Sequence, residues 1–229
     1  MIIGIIPARL ESTRFPHKIL HKINNKPMVM YVYERAIQSK KIDKIIVAVD
    51  SPITVKELKK YNVETVLTSL KHQSGTDRIA EVVKNIDAEI IINIQADEPM
   101  LEPNLLDKLI MCFDDTSVQL ATLASRKIDV TDLNNPNVVK VEIDKNSDAT
   151  GFYRTVEDNS QKYFRHIGLY GYRKNVLERV TKLKPTKNEL KHQLEQLRAL
   201  ENGIPIKVVL CEFPFHGIDT PDDLIQLNL

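Results

Sequence analysis

Residues 89–99 read Glu-Ile-Ile-Ile-Asn-Ile-Gln-Ala-Asp-Glu-Pro. The first six form a near-continuous apolar run, as a strand buried on both faces requires. The last five, Gln-Ala-Asp-Glu-Pro, break that run and hold two adjacent carboxylates. Working back toward the N-terminus, Gly75–Ile86 reads as a helix with Ile79, Val82, Val83 and Ile86 on one face. Val63–Thr68 reads as a strand, about Pro52–Lys60 as a helix, and Lys44–Val49 (KIIVAV) as a strand. Pro27 opens a further helix whose Val29, Val32, Tyr33, Ala36 and Ile37 recur at helical spacing. Ile2–Ile6 is the first strand. This βαβαβαβ alternation predicts an α/β fold with a parallel sheet covered on both faces. Ligands on such sheets bind beyond the carboxyl ends of the strands. Chemistry is therefore expected in the loops 7–26, 68–75 and 95–103.

Beyond this core the pattern is more mixed. Val118–Ser125, Val138–Ile143 and Phe164–Tyr172 read as strands, and Ile206–Leu210 as the last one. Lys174–Lys182, about Lys187–Leu200 and Pro221–Leu227 read as helices. With no repeat and no linker in sight, one domain over 1–229 is expected, with a partly antiparallel extension at about 118–200.

The charge balance narrows the function classes. Thirty-two basic against 31 acidic residues leave a formal charge of +1, which argues against an electrostatically driven nucleic-acid binder. No run reaches the roughly 18 apolar residues of a membrane-spanning helix, and the N-terminus is too short and uncharged for a signal peptide. Cys112 and Cys211 lack CxxC spacing, so neither a disulfide framework nor a structural zinc site is expected. A soluble protein of the reducing cytoplasm is the expectation.

Each polar loop has a chemical reading beside a plain one. Residues 7–18 carry Arg9, Arg14 and Lys18 directly after the first strand. A polyphosphate needs several converging cations and N–H donors; a solvated basic loop is the alternative. GxGxxG and GxxxxGK[ST] are both missing, which disfavours dinucleotide dehydrogenases and P-loop ATPases. In residues 72–78, Ser74 caps the next helix with Asp77 at the third position. Arg78 in the first turn opposes the helix dipole, so a nearby anion is expected: a nucleotide phosphate or Asp77. Asp97 follows a buried parallel strand, as Mg²⁺ ligands often do; with Glu98 it is otherwise a solvated turn. Thr220 to Asp223 make a helix start, leaving Asp219 outside the cap and able to reach a metal. His192, Glu195, Gln196 and Ala199 fall on one face of the 187–200 helix, with Leu190, Leu194 and Leu197 on its apolar face. His166 reads by default as a partly buried, satisfied histidine.

Seven blocks occur in one order: IIPARLESTRFPHKIL, NNKPMVMYVYERA, HQSGTDRIAEV, IINIQADEPML, FRHIGLYGYR, LEQLR and GIDTPDDL. Together they resemble the CMP-Kdo synthetase (3-deoxy-manno-octulosonate cytidylyltransferase) family over nearly the whole chain. The resemblance implies a nucleotide-diphospho-sugar transferase fold, a Rossmann-like (GT-A) three-layer arrangement with a mixed, mainly parallel sheet. It also implies a Mg²⁺-dependent cytoplasmic homodimer that makes CMP-Kdo and pyrophosphate from CTP and Kdo for lipopolysaccharide. Carried onto this chain, it places the CTP site at Pro7, Ala8, Arg9, Arg14, Lys18, Gln73, Ser74 and Arg78. Lys18, Arg14 and Asp97 are the implied catalytic residues, and Asp97 and Asp219 the metal ligands. Gln95, Arg154, His166, Tyr170, Glu195 and Gln196 are the implied sugar-acid contacts. The chain departs from the family in four places. His17 replaces the glycine of PGK and Ala96 that of QGDEP; His192 stands where a glutamate is common; and the segment 155–163 is short. A modified ulosonic or nonulosonic acid such as 8-amino-Kdo is the alternative substrate, a nucleotide-binding module without catalysis the alternative class.

Overall fold

The computed structural model describes residues 1–156, 163–213, 217–218 and 220–226. The chain divides into two compact units, Met1–Asp107 with His216–Leu229, and Lys108–Phe215.

In the first unit, four parallel strands lie in the order β6-β1-β4-β5: β1 (Ile2–Ala8), β4 (Lys44–Val49), β5 (Thr65–Leu67) and β6 (Ile90–Asn93). Ile5 is the register point, opposite Ile46 on one side and Asn93 on the other. Helices α1 (Met28–Ala36), α2 (Pro52–Lys59) and α3 (Gly75–Val83) connect them. β1, β4 and β6 are apolar without alternation because both faces are covered; Ile3, Ile5, Ile6, Ile91 and Ile92 are all fully buried, whereas β5 at the edge leaves Leu67 54% exposed. β5 is shorter than the expected 63–68 span because its ladder to β4 covers only Val47–Val49. α9 (Pro221–Gln226) starts at the expected proline, Leu227 lying outside the described residues.

The first loop is less open than its polarity suggests. Leu10, Phe15, Ile19 and Ile23 are buried at intervals along it. Phe15 and Ile23 pack with Met28 and Ile218, and Tyr31 and Leu224 border that cluster. Lys22–Ile23 (β2) and Lys26–Pro27 (β3) form a small antiparallel hairpin that the sequence reading took for loop. Its turn, Asn24-Asn25, has φ of 47° and 67°, the double positive φ of a type I′ turn.

The second unit follows α4 (Pro103–Met111). Its strands are β7 (Leu120–Ser125), β8 (Lys140–Ile143), β9 (Ala149–Tyr153), β10 (Tyr163–Arg173) and β11 (Lys207–Cys211). β11 and β7 run parallel; β7–β10, β10–β8 and β8–β9 are antiparallel. α4, α5 (Val130–Asn134) and β9 are additional to the expected elements, whereas α6 (Lys174–Lys182) has the expected bounds.

One expectation is overturned here. The single helix over 187–200 is two short ones, α7 (Lys187–His192) and α8 (Gln196–Glu201). Gln193 between them is left-handed, with φ 52° and ψ 51°. His192 therefore does not share a continuous helical face with Glu195, Gln196 and Ala199. Leu190, expected on the apolar face, is 67% exposed, while Leu194 and Leu197 are buried.

Candidate active site

The loops at the carboxyl ends of the first unit's strands bring three groups of candidate residues together. Lys18 opens a short 3-10 turn, Lys18–Leu20, and is only 9% exposed. Its Nζ donates to Asp97 Oδ2 at 2.6 Å and to the Ile218 carbonyl at 2.8 Å. The Ile218 N–H in turn donates to the Asp97 carbonyl at 2.9 Å. The basic loop, the β6 carboxylate and the segment beside residue 219 thus meet around one ion pair. Asp219 itself lies outside the described residues.

His17 precedes Lys18 in the left-handed conformation, φ 54° and ψ 30°. The backbone that a glycine would provide at this place is thus kept by a histidine, at a steric cost. Arg9 and Arg14 are exposed, whereas Pro7 and Ala8 end β1. Pro7 packs against the start of α3: a Cβ on Gly75 would sit 3.3 Å from Pro7 Cγ.

α3 starts as expected, with Ser74 Oγ accepting the Asp77 N–H at 3.1 Å. Gln73 is exposed and its amide donates to the Lys71 carbonyl. The loop before α3 is tied back by Glu81, which accepts from the Ser69 N–H and bonds His72. The Ser69 and His72 bonds hold the Glu81 carboxyl below the usual range.

Arg78 corrects the expectation about its anion. It is 4% exposed, and its guanidinium donates to Thr68 Oγ1 at 2.5 Å and Asp50 Oδ2 at 3.3 Å. Its carboxylate partner is Asp50 and not Asp77. Asp50 also accepts the Leu10 N–H at 2.8 Å. It therefore ties the first loop, the end of β4 and α3 to one carboxylate. The sequence reading missed Asp50; the signal was its place directly after KIIVAV, another parallel-strand end.

Glu98 was read as part of a turn but is buried, and its Oε2 has no hydrogen-bond partner. Burial first, then the charge of Asp97, push its carboxyl well above the usual range, with Lys18 pulling it back. Asp97 is the carboxylate that reaches the surface, its side chain 30% exposed. A partly exposed hard-oxygen donor at a strand end fits a divalent cation that takes one or two carboxylates plus substrate phosphates. Gln95 is half-buried beside it, its amide 3.5 Å from Asn93 Oδ1.

The remaining candidates lie in the second unit. His166 and Tyr170 stand on β10 on either side of a register shift between Ile167 and Tyr170. Thr122 Oγ1 lies within hydrogen-bond distance of the Ile167 and Leu169 carbonyls there, and 3.0 Å from His166 Nε2. The His166 ring is enclosed by Phe152 at 5.1 Å and Tyr170 at 5.5 Å between centroids. Burial, then the charge of Arg154, pull it down to about 3, so the imidazole is neutral at pH 7. Glu195 is exposed and Gln196 half-buried, both at the start of α8.

Arg154, expected among the sugar-acid contacts, reaches main chain at the α7–α8 corner. Its guanidinium is directed at backbone: Nε to the His192 carbonyl at 3.0 Å, Nη2 to Gln193 at 2.9 Å and Nη1 to Pro136 at 3.2 Å. It closes the carboxyl end of α7, where a cation satisfies orphan carbonyls. His192 lines a cavity of about 400 Å³ with Arg154, Asn188 and Glu201.

Parallel strands whose carboxyl ends gather a cationic loop, a capped helix start and a partly exposed aspartate are the arrangement of a nucleotide-handling α/β enzyme. The fold is that of the sugar nucleotidyltransferases. A putative glucose-1-phosphate thymidylyltransferase from Bacillus anthracis superposes with a TM-score of 0.73 over 100% of this chain and 94% of its own, at 16% identity, a likeness of fold alone. A family model described as cytidylyltransferase matches residues 3–207, and the chain belongs to that family. The 3-deoxy-manno-octulosonate cytidylyltransferase of Chloroherpeton thalassium is 44% identical over 98% of this chain and 95% of the relative. That of Geobacter metallireducens is 41% identical over 97% of this chain and 94% of the relative. A CMP:2-keto-3-deoxy-manno-octonic acid synthetase solved with CTP superposes with a TM-score of 0.92 at 35% identity, over 99% of this chain and 96% of its own. Among the described residues, no helix is long and apolar enough to cross a membrane.

Proposed function

We propose that this chain joins CTP to Kdo, giving CMP-Kdo and pyrophosphate for lipopolysaccharide synthesis, as a Mg²⁺-dependent homodimer of the cytoplasm. The observation that carries the reading is the Lys18–Asp97 pair, 2.6 Å apart beyond the ends of two parallel strands. A buried cation beside a partly exposed carboxylate supports a site for a triphosphate and its metal. The names of the relatives and the likeness to a CTP complex support the choice of nucleotide and acceptor.

In the proposed reaction the anomeric hydroxyl of the acid attacks the α-phosphorus of CTP, a P–O bond to that oxygen forms, and the bond to pyrophosphate breaks. Catalysis of this kind is mostly positioning and charge neutralisation. Lys18, Arg14 and Arg9 stabilise the charge on the leaving pyrophosphate. Pro7 and Ala8 offer backbone to the base and ribose, with Gln73 and Ser74 at the second nucleotide loop. Arg78 acts through Asp50 on the shape of that site. Asp97 and Asp219 would hold Mg²⁺, which when bound supplies positive charge at the phosphates and lowers the pKa of a coordinated hydroxyl. The acceptor contacts are Gln95, His166, Tyr170, Glu195 and Gln196. A neutral His166 can both donate and accept, which suits a hydroxyl-rich sugar acid.

The test is pyrophosphate release from CTP with a panel of ulosonic acids, before and after chelation. Kdo should be the best acceptor, and chelation should stop turnover until Mg²⁺ is restored. Asp97→Asn keeps size and removes charge, so turnover should fall by about 100-fold or more, the scale of losing one preorganised charge contact. Near wild-type turnover in that variant, or a preference for 8-amino-Kdo or a nonulosonate over Kdo, would sink the corresponding part of the reading.

A further inference from the structure

The second unit buries a lysine that the reaction does not use. Lys140, on β8, is fully buried. Its Nζ donates to three backbone carbonyls: Asn135 at 2.8 Å, Val138 at 2.7 Å and Arg154 at 2.6 Å. An ammonium has three donors, and these three bonds use them all. A charge taken out of water is costly unless fully bonded, so a buried ammonium spent wholly on main chain fixes that main chain in place.

Arg154 continues the same construction. Its carbonyl is held by Lys140, while its guanidinium reaches Pro136, His192 and Gln193. The two cations thus bracket the turn at 135–138 from both sides and end on the corner between α7 and α8. That corner needs holding. Gln193 is left-handed, and a non-glycine residue there is strained. The rest of the corner is tied by Glu189 and Arg198, a buried pair with Nε at 3.1 and 3.0 Å from the two carboxylate oxygens. Among these bonds, only those of Arg154, just after β9, reach the corner from outside α7 and α8, at the His192 and Gln193 carbonyls before Leu194 and Glu195.

We propose that Lys140 is a positioning residue for the acceptor site. By holding the Arg154 carbonyl and the 135–138 turn, it aims the Arg154 guanidinium at the α7–α8 corner and so fixes Glu195 and Gln196. The inference rests on the reading of those two residues as acceptor contacts. The electrostatics of the cluster agree with it. Burial pulls the Lys140 ammonium down to about 8, with Arg154 and Arg165 adding to that and Asp132 opposing. At neutral pH the lysine is still charged and keeps all three donors.

The experiment is a double-mutant cycle on the full-length protein with Lys140→Met and Arg154→Ala, reading KM for CTP and for Kdo separately. Lys140→Met should raise the Kdo KM by about tenfold or more, the scale of a lost charge-assisted bond, with the CTP KM within about twofold of wild type. Because Lys140 acts through Arg154, the double variant should be no worse than Arg154→Ala alone. Effects that simply add, a Kdo KM that does not move, or a CTP KM that rises in parallel would each overturn the proposal. If Lys140→Met does not fold, Lys140→Gln, whose amide keeps two donors, takes its place in the cycle. Failure of Kdo to support turnover overturns the functional reading and leaves this one standing, since the cycle runs on whichever ulosonic acid the wild type accepts.

Discussion

Asp97 stood out in the sequence because it follows a strand end, and Lys18 because it closes the basic loop after the first strand, where a parallel sheet collects its chemistry. Their direct pairing was not legible, because nothing in either segment encodes the other. Asp50 sits at the same kind of place but looks like an ordinary turn residue. Its meaning appears only when Leu10 and Arg78, from two other loops, reach it. The three carbonyls that the Arg154 guanidinium meets were not legible either, because they come from Pro136, His192 and Gln193, remote in sequence. His17 offers a test at this scale. It is exposed and left-handed, and its ring nitrogen lies 3.3 Å from Glu11 Oε1 with both side chains largely in solvent. Such an exposed pair returns little. Left-handed backbone costs about 1–2 kcal/mol for an L-residue, and the greater unfolded-state freedom of glycine returns about half of that. His17→Gly should therefore stabilise the protein by a few tenths to about 1 kcal/mol. The check is the urea midpoint, which should rise with the m-value unchanged; a fall would mean that the His17–Glu11 contact outweighs the backbone strain.

Among the elements, the four parallel strands β1, β4, β5 and β6 and the three helices between them could be read from pattern alone; in β1, β4 and β6 burial removes alternation and leaves an apolar run. The corner between α7 and α8 could not. Leu190, Leu194 and Leu197 keep helical spacing across it, so periodicity reports one helix. The break lies in a single φ angle at Gln193, and glutamine is not a residue that signals it. The three loops of the first unit show how elements act together. Asp50 at the end of β4 joins the Leu10 N–H to the Arg78 guanidinium, and Arg78 also holds Thr68 after β5. Asp50→Asn keeps the shape and removes the charge that offsets a buried arginine in the first turn of α3. The expected outcome is a CTP KM raised by about tenfold, from loosening a charged hydrogen bond, with the Kdo KM little changed. Steady-state kinetics with each substrate varied in turn decides this. Equal effects on both KM values would assign Asp50 to general stability instead of to the nucleotide loops.

At the scale of the molecule, the two compact units divide the proposed labour. The nucleotide residues from Pro7 to Arg78, with Asp97, belong to the first unit; apart from Gln95, the acceptor residues belong to the second. A near-zero net charge hides this division, since the basic loop of the first unit is balanced elsewhere in the chain. Composition could therefore exclude a nucleic-acid binder but could not locate a phosphate site. Hydrogen exchange separates the two halves without relying on turnover. CTP with Mg²⁺ but no acceptor should slow exchange in residues 9–18 and 73–78. Most of residues 9–18 lie in a loop, and 73–78 span the loop before α3 and its first turn, where protection in the free protein is low and a bound ligand registers strongly. Kdo added to the CTP complex should extend protection to 165–171 and 193–197. β10 is already a bonded strand, so the clearest change is expected at the Ile167–Tyr170 register shift, where ladder bonding is broken, and at the left-handed corner of Gln193. Protection of 193–197 by CTP alone, at the level seen in 9–18, would count against this division, because it would place nucleotide contacts on the unit assigned to the acceptor.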